Sequence, residues 1–357
     1  MGLAVAHRQR PGYDKGPDVV RCRLRCGALF FSLLFGGGTV MAQSEPAEPR
    51  PFPARVKEVA RGLSDHPRLK EMTQQEREDV VEFVVGNMLF VLLHELAHTA
   101  VADLKVYVLG HEEDAADDFA ILRLLKVGSA FTHRVLAEAT KGWFFSARRD
   151  RNDGEPLAFY DEHSLDQQRA YHIVCLMVGF NPDEMVDLYD EMKLPDERRE
   201  SCKKDFAKAS LSWETALKTH HREVDEPKTK IEVAYGDGTG KLDIFAQGFR
   251  TVRMLETVAE RISELAWPAP FTLEMQSCGF INARWTDETR KLTLCYELAA
   301  DFAELYHDFN KLPMEKRERE RASVRSSAPA VVSEVNRHRV LNSLRDDGRR
   351  CPHRRRR

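Results

Sequence analysis

The sequence predicts a mainly helical α+β protein, and three observations support this fold class. A long apolar segment at residues 80–101 contains few polar residues, which is typical of a helix buried on most sides. Further helical patterns continue to about residue 224. Beyond residue 225, strand-like patterns mix with an amphipathic helix, which predicts a smaller α+β segment packed on the helical part.

The apolar segment at residues 80–101 is long enough to be mistaken for a membrane span. Its polar residues would then lie in or near the hydrocarbon, where ionisable groups are costly. A buried core helix is therefore favoured over a transmembrane one. Burying these polar groups without partners costs free energy, and a bound metal ion would provide the compensation. The polar residues are Glu82, Asn87, His94, Glu95 and His98.

His94, Glu95 and His98 form a His-Glu-x-x-His motif on this predicted helix. Residues i and i+4 share a helix face, so both imidazoles can reach one Zn²⁺ while Glu95 points toward the metal-bound water as general base. A catalytic zinc ion usually takes a third protein ligand and keeps one position for water. Val101 and Leu104 stand where the metzincin pattern has glycine and histidine, which excludes that class.

The third ligand is expected in residues 110–120, where a glycine turn precedes a helix with an acidic first turn. Taken alone, such a turn is commonly a solvated helix end. Residues 113–117 resemble the Glu-x-x-Ala-Asp signature of gluzincin-type peptidases. That resemblance makes Glu113 the third zinc ligand and Asp117 the carboxylate that fixes the tautomer of a ligating imidazole. Three neighbours are rival ligands that fit the signature less well: His111, Glu112 and Asp114.

Residues 90–98, 109–117 and 160–169 together resemble the bacterial "putative metallopeptidase" family. Residues 278–285 and 294–298 also resemble segments of that family. The resemblance covers roughly residues 78–308. It implies zincin-like metal-binding helices and a metal more firmly than it implies any substrate.

His163 is the candidate donor to the oxyanion of peptide hydrolysis. Gluzincin-like enzymes often supply a histidine or tyrosine in this role, and Arg169 and Tyr160 are further candidates. The competing interpretation makes His163 a residue at a helix N-terminus beside the Ser164 cap. Other histidines show no ligand spacing and are interpreted as core or surface residues: His133, His172, His220 and His221.

The N-terminal segment is typical of a secretory signal peptide. A basic stretch at residues 21–25 is followed by an apolar run at residues 28–35 and a short segment ending in Ala42, after which cleavage is expected. The mature protein is then periplasmic or secreted, with no stable membrane insertion.

The cysteines are consistent with an oxidising compartment. Cys175 and Cys202, and likewise Cys278 and Cys295, are candidate disulfide partners, with buried free thiols as the alternative. Cys351 is left over.

The chain divides into a signal peptide (residues 1–42), a linker (43–55), a helical metallopeptidase-like region (56–224), an α+β segment (225–310) and a disordered basic tail (311–357). In the α+β segment, strands are predicted at residues 231–235 and 242–245. The glycine-rich residues 236–241 between them predict a hairpin turn rather than a phosphate loop. A helix at residues 249–265, a strand at 271–275, a disulfide-linked hairpin across 286–288 and a last helix through Phe302 follow.

The predicted function is an exported, Zn²⁺-dependent peptidase that acts on peptide or protein substrates. The alternative is a non-catalytic periplasmic protein that has a structural or lost metal site and acts as a binding module. A closed structural site would need a fourth protein ligand, whereas a peptidase needs an open position and a groove. A formal net charge of −3 despite the basic tail argues against a nucleic-acid-binding core, and the oligomeric state is left open.

Overall fold

The structure, a computed structural model, describes residues 50–185 and 194–310. The predicted signal peptide, most of the predicted linker and the basic tail lie outside these ranges. The helices are α1 (Phe52–Gly62), α2 (Gln74–Leu104), α3 (Glu112–Val127), α4 (Ala130–Asp153), α5 (Asp166–Phe180), α6 (Asp196–Leu217), α7 (Asp243–Val252), α8 (Met254–Ile262) and α9 (Tyr296–Asn310). The strands are β1 (Ile231–Tyr235), β2 (Phe271–Gln276), β3 (Ala283–Thr286) and β4 (Lys291–Cys295).

Helix α2 is the central element of the helical part. It begins at a capping box in which Thr73 and Glu76 satisfy each other's backbone N–H groups, and it contacts α1, α3, α4 and α9. Among the described residues, α2 is the helix long and apolar enough to cross a membrane, but 83% of its most apolar window is buried within the protein. This is the environment predicted for a core helix.

Helix α1 begins at Phe52, inside the segment expected to be a linker. Pro51 can precede a helix because the first turn leaves its N–H groups without intrahelical partners. Val56 and Ala60 lie on the buried face of α1, which packs on α2 and α7. Burial of this short apolar face therefore extends the folded part toward the N-terminus.

Helices α3 and α4 pack on α2, and α5 packs on α3 and α4. Lys105 ends α2 in the left-handed conformation (φ 56°) and the loop at residues 105–111 reverses the chain into α3. Where α4 crosses α2, a Cβ at Gly142 would lie 2.0 Å from the Asn87 Oδ1. A side chain at position 142 would therefore force Asn87 or the helices to shift, and glycine allows this close approach.

The α+β segment forms a mixed sheet in the order β1-β2-β4-β3. β1 pairs parallel with β2, and β2 pairs parallel with β4. The predicted hairpin is confirmed, since β3 pairs antiparallel with β4 and Thr286 lies opposite Lys291. β3 is an edge strand, and it contacts α2.

Three predictions in this segment are wrong. Residues 236–241 are not a hairpin turn, and residues 242–245 are not a strand, because α7 begins at Asp243. The parallel pairing of β1 with β2 requires a crossover connection instead of a hairpin, and α7 and α8 lie within that connection. The single helix predicted at 249–265 is also two helices, separated at Arg253, which has a φ of 53°.

Both predicted cysteine pairs lie at disulfide-bonding distance. The Sγ atoms are 2.01 Å apart for Cys175 and Cys202, and 2.06 Å apart for Cys278 and Cys295. The first pair joins α5 to α6. The second joins the loop before β3 to the end of β4 and so closes a loop that contains the whole β3–β4 hairpin.

Candidate metal centre

Three side chains from two helices converge at the N-terminus of α3. His94 and His98 lie one turn apart on α2, with their Nε2 atoms 3.2 Å from each other. Glu113, in the first turn of α3, places its Oε2 atom 3.0 Å from the Nε2 of His94 and 3.4 Å from that of His98. The structure therefore brings together the three residues that were predicted to bind the metal, and they form a possible metal site.

A carboxylate contacts the Nδ1 atom of each of the two imidazoles. Asp117 Oδ1 lies 2.8 Å from His94 Nδ1, and Glu112 Oε1 lies 2.8 Å from His98 Nδ1. A carboxylate at this position accepts the Nδ1–H and fixes the tautomer in which Nε2 carries a lone pair. Glu112, one of the rival ligands named above, thus contacts the Nδ1 of His98 in the same way as Asp117 contacts the Nδ1 of His94.

Three lone-pair-bearing atoms that face one another at 3.0–3.4 Å require a positive charge among them. Protons on the imidazoles can supply this charge. Burial opposes charging of His98, but hydrogen bonds to Glu113 and Glu112 outweigh it and raise the pKa of His98 to about 9. Burial likewise raises the pKa of Glu113, but its contacts with His163, His94 and His98 hold that pKa far below its usual range. The donor set of two imidazoles and one carboxylate equally fits a divalent metal ion.

Arg169 on α5 completes the support of His94. Its Nε and Nη2 atoms donate to Asp117 Oδ2 and Oδ1 at 2.8 and 2.7 Å, and its guanidinium lies 3.7 Å from the ring centroid of Trp143. Burial would raise the pKa of Asp117, but Arg169 and His94 hold it well below its usual range. Asp117 is therefore an ionised acceptor, although it is buried.

Glu95 faces a cleft next to the three converging side chains. The cleft has a volume of about 590 Å³, and its walls include His94, Glu95, His98, Glu113 and residues 282–285 of the β3 region. Burial raises the pKa of the Glu95 carboxyl, while the nearby histidines and the backbone N–H of Trp285 act in the opposite direction. Burial outweighs the opposing contacts, so the pKa of this carboxyl lies above its usual value.

His163 lies at the edge of this cluster, on the loop between α4 and α5. Its Nε2 is 2.9 Å from Glu113 Oε2, while Asp161 accepts its backbone N–H at 2.9 Å and lies 3.0 Å from its Nδ1. The side chain is 46% exposed. His163 thus reaches the site predicted for it, whereas Tyr160 is 89% exposed and makes no contact with the cluster that the structure records.

Residues 61–217 match the model of a protein family described as "Putative metallopeptidase". We call this segment the metallopeptidase-family domain, after the family that it resembles. The metallopeptidase-family domain includes α2 to α6, and with them every residue of the converging cluster. β3 and the Cys278–Cys295 pair lie beyond the matched range, so the resemblance of residues 278–298 to the family stays a prediction. Searches of curated proteins and of solved structures find no match to the chain.

Several contacts around the candidate metal centre were not predicted from the sequence. Arg169 was considered only as a donor near His163, and the pairing of this residue with Asp117 joins positions 52 residues apart. Trp143 and the backbone of Trp285 carried no recognisable signal. A buried arginine always needs an acceptor, but the sequence does not specify which carboxylate supplies it.

Proposed function

We propose that the protein is an exported, zinc-dependent peptidase with its metal on His94, His98 and Glu113. The convergence of these side chains at 3.0–3.4 Å carries the proposal. Ligands at 2.0–2.1 Å around a tetrahedral zinc ion lie about 3.3 Å apart, so the ligand set matches zinc without rearrangement. When bound, zinc lowers the pKa of a coordinated water and polarises the scissile carbonyl.

The residues of the chain supply the other parts of the mechanism. Asp117 and Glu112 orient the two imidazoles, and Arg169 keeps Asp117 ionised. Glu95 accepts the proton of the attacking water and returns it to the leaving amine. His163 donates a hydrogen bond to the oxyanion from the mouth of the cleft.

An extended peptide fits the cleft because β3 forms one of its walls. One side of β3 pairs with β4, and the other is a sheet edge. A peptide can add to such an edge through backbone hydrogen bonds. The cysteine pairs at bonding distance support an oxidising compartment, and thus export.

Replacing Glu95 with Gln tests the proposed general base. General acid–base catalysis contributes about 100-fold or more to the rate, so Glu95→Gln should lower kcat by at least that factor and leave one zinc per chain. Hydrolysis of a mixed peptide library and metal analysis of the purified protein are the measurements. Glu82→Gln is the control, since Glu82 lies on the same helix but pairs with Arg134. Full activity of Glu95→Gln would remove Glu95 from the mechanism.

One observation favours the alternative, a non-catalytic binding module with a closed metal site. His163 Nε2 lies 2.9 Å from Glu113 Oε2 and is a possible fourth ligand. His163 is, however, not part of the group of His94, His98 and Glu113, whose ligand atoms all lie within 4.8 Å of one another. Three protein ligands leave a metal position open for water, as a peptidase requires.

Replacing His163 with Ala separates the two functions. In the peptidase, His163→Ala should lower kcat more than it lowers zinc affinity, because the three ligands His94, His98 and Glu113 are all retained. In a closed structural site the same substitution removes a ligand, so zinc affinity should fall by at least about tenfold. Zinc titration of the purified variant, together with its peptide kinetics, measures both. Weakened zinc binding in a protein without chelator-sensitive hydrolysis would support the alternative.

A further inference from the structure

Large hydrophobic side chains are exposed in the loops that end at the cleft. Among the described residues, eleven such side chains are exposed, and seven of them lie in the three loops that adjoin the cleft. Two are in the loop at residues 105–111, three in the loop at 154–165 and two in the loop at 277–282. We call these seven residues the apolar rim: Tyr107, Leu109, Leu157, Phe159, Tyr160, Phe280 and Ile281.

The three loops border the same cleft. Ser164 donates a hydrogen bond of 2.7 Å to Asp114, and His163 contacts Glu113, so the loop at 154–165 is fastened to the start of α3 where the loop at 105–111 ends. The loop at 277–282 ends at Asn282, which lines the cleft beside β3. The apolar rim therefore lies in loops that end at the cleft, close along the chain to the lining residues Glu112, His163 and Asn282.

Single exposed hydrophobic residues need no explanation, but a group of them around a groove marks a binding surface. Tyr107, Leu109 and Tyr160 are each about nine-tenths exposed or more. Side chains of this size gain free energy when a ligand removes them from water. Aromatic residues also dominate the centres of recognition surfaces.

We propose that the apolar rim binds large hydrophobic side chains of an extended polypeptide substrate. Preferred substrates are then flexible or unfolded segments that carry aromatic or branched aliphatic residues on both sides of the scissile bond. This inference rests on the proposed peptidase function. It assigns to that function a substrate class and the residues that select it.

The arrangement of the cleft favours a polypeptide over a lipid surface. Polar groups lie at its centre and the sheet edge of β3 lies along one wall, which suits a polar backbone with apolar side chains directed outward. Exposed carboxylates closely follow rim residues along the chain, notably Glu112, Asp161 and Glu162. These negative charges repel the headgroups of an anionic bilayer.

Peptide binding to the zinc-loaded Glu95→Gln variant tests the inference without turnover. The probes are a fluorescent, unstructured peptide with Phe and Leu at alternate positions and its counterpart with Ser at those positions. The apolar peptide should bind at least about tenfold more tightly. In the same background, the triple variant Leu109→Ser, Phe159→Ser, Tyr160→Ser should lose most of that preference.

The matched control is the double variant Leu211→Ser, Val224→Ser, which removes exposed hydrophobic residues far along the chain from the cleft loops. It should keep the preference. Thermal unfolding and zinc content check that the triple variant is folded, and the three single variants provide the comparison if it is not. An unchanged preference in the rim variants would overturn the inference.

Binding of a membrane or of a second copy of the chain to the apolar rim would give different results, and either result would overturn the inference. Rim-dependent binding to phosphatidylcholine vesicles without peptide preference would assign the rim to a membrane. A concentration-dependent dimer that the rim substitutions abolish would assign it to a second copy of the chain. Failure of the proposed function is distinguishable, because rim-dependent peptide binding with no hydrolysis by the wild-type protein would refute the peptidase and leave the binding surface.

Discussion

In the candidate metal centre, the orientation of a ligating side chain depends on neighbouring residues that restrain it. His94 contacts Asp117, Asp117 is held by Arg169, and Arg169 lies against Trp143. This chain of contacts extends from the proposed metal to helix α4. Because the ligating imidazole can rotate unless its Nδ1 is held, the orientation of His94 depends on residues that never touch the metal.

Replacing Arg169 tests this dependence. Arg169→Gln leaves the buried Asp117 without its charged partner, which should destabilise the protein by about 3 kcal/mol. It should also lower zinc affinity by roughly 10- to 100-fold. Arg169→Lys should recover only part of the affinity, because lysine cannot form both hydrogen bonds. Zinc titration and urea unfolding provide the two measurements.

Arg149→Gln is a suitable control for this experiment. Arg149 also pairs through two nitrogens with an aspartate, Asp301, but at a more exposed site. Its loss should leave zinc affinity unchanged. If Arg149→Gln and Arg169→Gln weaken zinc binding equally, the effect is one of general stability and not of His94 orientation.

At the scale of elements, α3 is held between α2 and α5 by its carboxylates. Glu113 and Asp117 face α2, while Asp114 contacts Ser164 and Asp118 contacts His172 on the side of α5. Residue spacing explains this, since positions i and i+4 share a face and the next pair lies 100° around the helix. The acidic residues of α3 by themselves are typical of a solvated helix end, but most of them contact side chains of neighbouring elements.

The His172–Asp118 contact predicts a pH dependence of stability. Burial opposes charging of His172, but the bond to Asp118, 2.6 Å long, outweighs it and raises the pKa of His172 above its usual 6.5. The contribution to stability is therefore fully present below about pH 6.5 and is lost as the pH rises through the folded-state pKa.

The expected result is that wild type exceeds His172→Gln in free energy of unfolding by more at about pH 6 than at about pH 9. Urea unfolding at several pH values measures this difference, and subtracting the variant removes the contributions of the other histidines. A difference that grows with pH would contradict the assignment.

The two cysteine pairs predict different consequences of reduction. Either bridge should contribute about 3 kcal/mol to stability in the chain-entropy model. Only the Cys278–Cys295 bridge closes a loop that contains β3, whose Trp285 backbone N–H contacts Glu95. Cys278→Ser with Cys295→Ser should therefore lower kcat/KM several-fold and leave zinc content unchanged.

The Cys175–Cys202 pair is the control, because it joins α5 to α6 away from the wall formed by β3. Cys175→Ser with Cys202→Ser should lower the melting temperature and change kcat/KM little. Equal losses of activity in both double variants would mean that the hairpin bridge acts only through stability.

At the scale of the whole molecule, the metallopeptidase-family domain supplies the proposed metal ligands and the α+β segment supplies the opposite wall of the cleft. The family match ends at Leu217, but Asn282 to Trp285 line the same cleft as His94. The proposed active site therefore needs both parts of the chain. Export and cleavage after Ala42 stay predictions, because those residues lie outside the described ranges.

Much of the site could be predicted because its signals are local. His94, Glu95 and His98 lie within five residues, and Glu113 and Asp117 are four residues apart on the next helix. Helical periodicity converts such spacings into shared faces, and the resemblance to the gluzincin signature selected Glu113 and Asp117 from the acidic turn. The long buried helix, the β3–β4 hairpin and the cysteine pairs were likewise predicted correctly from local patterns or spacing.

The sequence by itself determined a mainly helical protein with two imidazoles on one turn of a buried helix and an acidic helix to meet them. Only the tertiary structure decided the parallel crossover from β1 to β2, the pairing of Arg169 with Asp117, and the placing of β3 and the apolar rim beside the cleft. The physical reason is separation along the chain. Contacts between residues tens to hundreds of positions apart depend on how whole elements pack, and no local spacing encodes that packing.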